Sequence, residues 1–136
     1  MSLHSAIGDR LLTDLALVAL VGQSVYWKRL PQSELNAEFP PAVYYYRTGL
    51  DSDERDIANV RQSLRVRYAI VCVASGEIVH QISDEVAGRM VSWMHTDLGG
   101  GLRLEQVEWV DSADDREGIV EGADAVFNEF VITVQY

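Results

Sequence analysis

The chain has 136 residues, 48% hydrophobic and 24% charged, with a formal charge of −10 at pH 7. That length suits one domain, 1–136, which can bury roughly two-thirds of its unfolded surface, and the composition excludes a disordered chain. The excess of acid excludes tight binding to a phosphate backbone or an anionic membrane surface. A single cysteine, Cys72, excludes an internal disulfide and a cysteine-based zinc cluster.

Ser2 is placed to cap a helix in which Leu3, Ile7, Leu11 and Leu15 recur every four residues. Asp14 and the apolar run that follows predict a second short helix or a bend, stopped by Gly22. Residues 11–21 are interrupted by Thr13 and Asp14 and are too short to span a bilayer. No basic stretch precedes them, so the expectation is a chain without a signal peptide that folds in a reducing cytoplasm. Val25, Tyr26 and Trp27 make a short extended piece, and Pro31 with Pro40-Pro41 turns 32–39 into a loop.

Residues 42–48, rich in Val and Tyr, are the first good strand, and 49–60 read as a long, acidic, exposed turn. From Gln62 the pattern alternates: Leu64, Val66, Tyr68, Ile70 and Cys72 point one way, and Ser63, Arg65 and Arg67 the other. Residues 76–94 predict the clearest helix, with an apolar stripe of Ile78, Val79, Ile82, Val86, Met90, Trp93 and Met94. The glycines at 99–101 make a turn, 102–110 a strand, 111–124 an acidic hairpin-like loop and 125–136 the closing strand. One helical crossover between two strand pairs predicts an α+β fold: a mostly antiparallel sheet of four to five strands with helices packed on one face.

Motifs that carry chemistry do not stand out. The acidic loop 111–124 fails the calcium-loop template, because Ala113 falls where a ligand is needed and Arg116 sits among the carboxylates. His4, His80 and His95 are scattered without metal-ligand spacing, and Ser75-Gly76 lacks a nucleophile elbow. The glycines at 99–101 precede Leu102-Arg103 rather than a phosphate-loop lysine. Cys72, inside an apolar run, reads as a core thiol. The expectation is therefore no enzyme, no cofactor and no metal site.

The aromatic run Tyr44-Tyr45-Tyr46 carries more information. Alternation sets Tyr45 opposite Tyr44 and Tyr46, so tyrosine lies on both faces of that strand. Tyrosine suits protein interfaces, because it joins apolar area to a hydroxyl. A face covered by the domain's own loops is the other reading, and both stay open at this point.

Several segments in order carry a resemblance. They are Ser2 to Leu12, the run Leu17-Val18-Ala19-Leu20-Val21-Gly22 before Val25-Tyr26, Leu30-Pro31-Gln32, and Phe39-Pro40-Pro41-Ala42-Val43-Tyr44-Tyr45. The alternating strand leading into the helix at 78–94 and the final strand from Phe127 to Tyr136 complete them. Together they resemble the small phage tail-completion proteins, similar to lambda-type tail terminators, over almost the whole chain. The resemblance implies a structural subunit of the virion tail, assembled in the host cytoplasm as a homo-oligomeric ring, commonly of six copies. Such a ring caps the tail tube and offers a surface to the head–tail connector protein, in a phage, a prophage or a gene-transfer particle.

A head-to-tail ring needs two different patches on each subunit. The candidates are the Tyr44 and Tyr46 strand, the Arg65 and Arg67 row, and the acidic Asp111, Asp114 and Asp115. A basic row meeting an acidic loop on the next copy would set register more than affinity. Six copies would carry six times −10, so DNA would slide through such a ring without sticking. Another neck protein, a head-closure or connector adaptor, and a small-ligand-binding α+β domain are the alternatives.

Overall fold

The computed structural model describes residues 2–28, 41–55, 57–58, 61–115 and 124–136. Helix α1 spans Leu3–Leu12 and buries Ala6, Ile7 and Leu11. Ser2 occupies the N-cap position with extended backbone, but its hydroxyl engages the His4 and Ser5 side chains rather than a helix amide. The chain then bends at Thr13. Asp14 is extended, and its carboxylate accepts the Ala16 N–H at 3.1 Å, starting α2 at Leu15–Val21. Gly22, at φ 62°, ends it in a conformation that favours glycine. The bend breaks the four-residue apolar repeat: Leu15 is 84% exposed, and Leu17 and Val21 face the core instead.

β1 (Val25–Trp27) runs parallel to β2 (Ala42–Arg55), with Val25 opposite Val43 and Trp27 opposite Tyr45. β2 and β3 (Arg61–Ala74) form a long antiparallel hairpin. The expected turn at 49–60 is thus corrected, since β2 continues to Arg55. Register shifts at Arg47/Gly49, Leu50/Ser52 and Glu54/Arg55 absorb the glycine and acidic residues that made this stretch read as a loop.

α3 (Ile78–Val91) crosses from β3 to β4 (Thr96–Gly99), and β5 (Leu102–Asp115) and β6 (Asp124–Gln135) form the second long hairpin. Gly99, Gly100 and Gly101 all have positive φ, so the β4–β5 turn needs these three glycines. The sheet order is β1-β2-β3-β6-β5-β4. Among the described residues it has six strands and is mixed, where the sequence predicted four to five. The extra strands are the short outermost ones: β1, read as an extended piece, and β4, which is only four residues long.

The helices contribute to a single core against one face of the sheet. Ile7, Leu11, Leu17, Val79, Ile82, Val86, Met90 and Trp93 pack there with Val43, Tyr45, Leu64, Val66, Tyr68, Ile70, Cys72, Leu104, Phe130, Ile132 and Val134. The α3 stripe holds except at its end, where Met94 is 54% exposed beyond the last helical turn. One polar pair enters this core. Asn128 is fully buried, and its amide donates to the Ser83 hydroxyl at 2.8 Å, tying β6 to α3.

Two crossed contacts lock α1 to α3. The Arg10 guanidinium donates to the Arg89 carbonyl, and the Arg89 guanidinium returns a bond to the Arg10 carbonyl. Burial, and after it the charge of Arg89, lowers the Arg10 pKa, and Arg10 also lies 5.6 Å from the Trp93 ring centroid.

Candidate interaction surface

Because opposed residues in a ladder share a face, the registers define the side of the sheet away from the helices. At one end of that face Ala42, Tyr44, Val71, Val73 and Ala125 form a second small cluster, flanked by half-buried Tyr26, Tyr46 and Phe127. Tyr44 and Tyr46 stack with ring centroids 6.0 Å apart and planes within 17°. Tyr44 is only 8% exposed, while Tyr46 is half-buried at the patch margin. Tyr45 does lie on the opposite face, as alternation requires. Its hydroxyl donates to the His4 carbonyl at 2.7 Å, and its ring packs 5.2 Å from Trp27, on which His4 stacks.

Further along the same face lies a lattice of charge. Arg67 pairs with Glu129 at 2.8 Å, and Arg65 with Glu108 at 3.7 Å. The structure therefore brings the predicted basic row to the outer face and gives it acidic partners within the same chain. Glu108 and Glu129 were not singled out in the sequence; their alternation with the buried Val107 and Phe130 is the signal that places them. The arginine stems cover apolar surface as well, since Val131, opposite Arg67 in register, is only 2% exposed.

Asp111, Asp114 and Asp115 belong to β5, not to a hairpin loop, which corrects that expectation; 116–123 lie outside the described residues. Asp111 stands opposite Glu129, Asp114 opposite Val126 and Asp115 opposite Ala125. Successive residues of a strand face opposite ways, so Asp114 lies on the helix side and away from the Arg65 and Arg67 row. Asp111 Oδ1 accepts the Ser112 N–H, and its carbonyl accepts the Trp109 indole N–H at 3.0 Å.

Burial pushes the Cys72 thiol up and the Tyr68 hydroxyl up, which leaves both groups neutral in the core. His95 Nδ1 lies 3.3 Å from Glu105 in an exposed contact at β4. A cleft of about 250 Å³ opens between α1 and β4, walled by Ala6, Trp93 and Leu98 and rimmed by Asp9, Arg10 and Asp97. Among the described residues no group of three His, Cys, Asp or Glu side chains converges as a metal site.

No family model and no curated protein matches the chain. Among solved structures, a chain from the virion of a native gene transfer agent particle superposes with a TM-score of 0.74 at 21% identity. That match covers 99% of this chain and 96% of the other. A second solved chain gives a TM-score of 0.54 at 17% identity over 100% and 97% of the two chains. At these identities the likeness establishes a shared fold from end to end.

Proposed function

We propose that the chain is a structural subunit of a phage-type particle. Within it, the chain acts as the tail-completion subunit: a homo-oligomeric ring of six copies that caps the tail tube. The observation that carries this is the end-to-end fold likeness to a chain of a gene transfer agent virion. The element order that supports the resemblance in the sequence points the same way. The ring's partners are its own copies, the tail tube protein and the head–tail connector, and its place is the tail of the virion.

The physics of the surface supports the reading. A head-to-tail ring needs unlike patches on the two sides of each subunit, and the β1–β2 side of this sheet differs from the β5–β4 side in sequence and charge. The net charge of −10 per copy suits a ring through which DNA passes without adhering. In this reading the protein acts by occupying space and presenting surfaces, with no reaction and no cofactor.

Light scattering coupled to size exclusion tests the proposal. A species near six times 15.2 kDa supports the ring. A monomer at every concentration, with no binding to tail tubes, removes it. Binding to the portal side instead of the tube would reassign the chain to a head-closure or adaptor role.

A further inference from the structure

All seven residues of α2 are apolar, yet only Leu17 and Val21 are buried. Helical spacing puts Leu15, Ala16 and Ala19 on the side away from those two, and all three are exposed, Leu15 at 84%. A helix that is apolar all round is ordinarily covered all round, so this outer face is one that another surface should meet. It is also uncharged, because residues 15–27 contain no acidic or basic side chain.

A second apolar surface lies across the molecule. α3 packs on β3, β6 and β5, whereas α1 packs beside β1 and α2 leads directly into it. The Arg89 guanidinium donates to the Arg10 carbonyl and the Thr13 hydroxyl, so its flank of α3 faces the α1–α2 bend. Val91 follows two residues later, roughly 200° further round the helix, with the buried Met90 between them. Val91 is therefore on the flank towards β5, and it is 39% exposed.

β5 adds Trp109 on that side. Trp109 stands opposite Phe130 of the core, which places it on the helix side of the sheet, and it is 47% exposed. The acids near it in sequence belong to the other side: Glu108 meets Arg65 there, and Asp111 stands opposite Glu129. Within 86–94 the one charged residue is Arg89, which is turned towards α1.

We propose that the outer face of α2 in one copy packs against this α3–β5 flank, at Val91 and Trp109, in the next copy. This rests on the ring reading above and names the surfaces that join neighbours. A second copy is the occupant because the two surfaces are unlike and lie on opposite sides of the subunit, as a head-to-tail ring requires. Charge selects the same pairing. Each copy carries −10, so two copies repel over most approaches, and this junction joins an uncharged face to a flank whose nearby acids point elsewhere. The small Ala16 and Ala19 beside Leu15 leave a shallow recess, and Trp109 is the large aromatic that fits it.

A mixing experiment tests the inference. Leu15→Glu places a charge on the α2 face only, and Val91→Lys places one on the α3 flank only. An acid suits the first turn of a helix and a base the last, and both sites are exposed, so each variant should melt as the wild type does. Should either melt early, Ala19→Glu replaces the first and Trp109→Lys the second on the same surfaces.

Each variant alone is expected to sediment at 15.2 kDa under conditions in which the wild type assembles. An equimolar mixture should recover a species of at least twice that mass, through the junction that both changes leave intact. Where the wild type joins only on tubes, chemical cross-linking on the tube reads the same masses. If either variant assembles as the wild type does, or the mixture stays monomeric while the wild type assembles, this junction is wrong and the ring reading stands. A wild type that never self-associates, in solution or on tubes, overturns both.

Discussion

Gly8 lies where α1 crosses Tyr45, and a methyl group there should change the sign of its effect with one hydroxyl. A Cβ built on Gly8 would sit 2.6 Å from the Tyr45 hydroxyl oxygen and 3.5 Å from the ring carbon that bears it. Ordinary non-bonded contact begins near roughly 3.5 Å, so the hydroxyl must retreat by about 0.9 Å while the ring carbon need not move. Retreat is resisted. The hydroxyl is bonded to the His4 carbonyl at 2.7 Å, and the ring is 5% exposed against Trp27.

Overpacking costs about 1–3 kcal/mol and the weakened hydrogen bond about 1 kcal/mol, against a gain of about 0.5–1 kcal/mol for alanine over glycine in a helix. Gly8→Ala should thus destabilise by about 1–3 kcal/mol. In a Tyr45→Phe background the obstructing oxygen is gone, and Gly8→Ala should stabilise by about 0.5–1 kcal/mol. Urea unfolding of all four proteins, with equal m-values, gives the coupling energy, expected near 2–3 kcal/mol. Equal destabilisation in both backgrounds would show that the Tyr45 hydroxyl is not what obstructs the methyl group.

Asp14 Oδ2 is buried and has no donor, and a proton on Glu85 supplies one, which raises the Glu85 pKa above its ordinary value of about 4.3. A carboxyl raised on folding adds stability when protonated and loses it as pH rises through its folded pKa, so Glu85→Gln should raise the Tm at pH 7 and leave it unchanged near pH 3. Ser83→Ala should cost about 1–3 kcal/mol by stranding the buried Asn128 amide, whereas the double change with Asn128→Leu should cost less than Ser83→Ala alone, in the same urea assay. Arg67→Ala breaks a partly exposed pair with Glu129 and should cost about 0–1 kcal/mol, read as a small shift in urea midpoint. Ile82→Asp buries an uncompensated carboxylate at 0% exposure and should abolish cooperative melting by circular dichroism.

The strong periodicities in the sequence correspond to the interior of the fold. Leu64 to Cys72 on β3, and Val79, Ile82, Val86 and Met90 on α3, occupy the faces their spacing predicts. What the sequence concealed lies where tertiary contacts override local preference. Gly49 and the acidic residues after it read as a turn, yet the β3 ladder holds them in a bulged strand. Leu15 continues a four-residue repeat, but the capping bond from Asp14 bends the chain and turns it outward.

The candidate surface was half legible for a similar reason. Alternation put Arg65 and Arg67 on the wetter face, but their partners Glu108 and Glu129 come from strands distant in sequence, and only the β3–β6–β5 register brings them near. The strand order β1-β2-β3-β6-β5-β4 was invisible, because it is a property of the whole sheet rather than of any one segment.

The proposed tail-completion role is tested most sharply by electron microscopy of tail tube protein polymerising with and without the chain. A subunit that caps the tube leaves tubes that carry one ring of density at a single end and stop lengthening once it is present. Tubes of unchanged length with bare ends, and the added protein left in the supernatant, would contradict it.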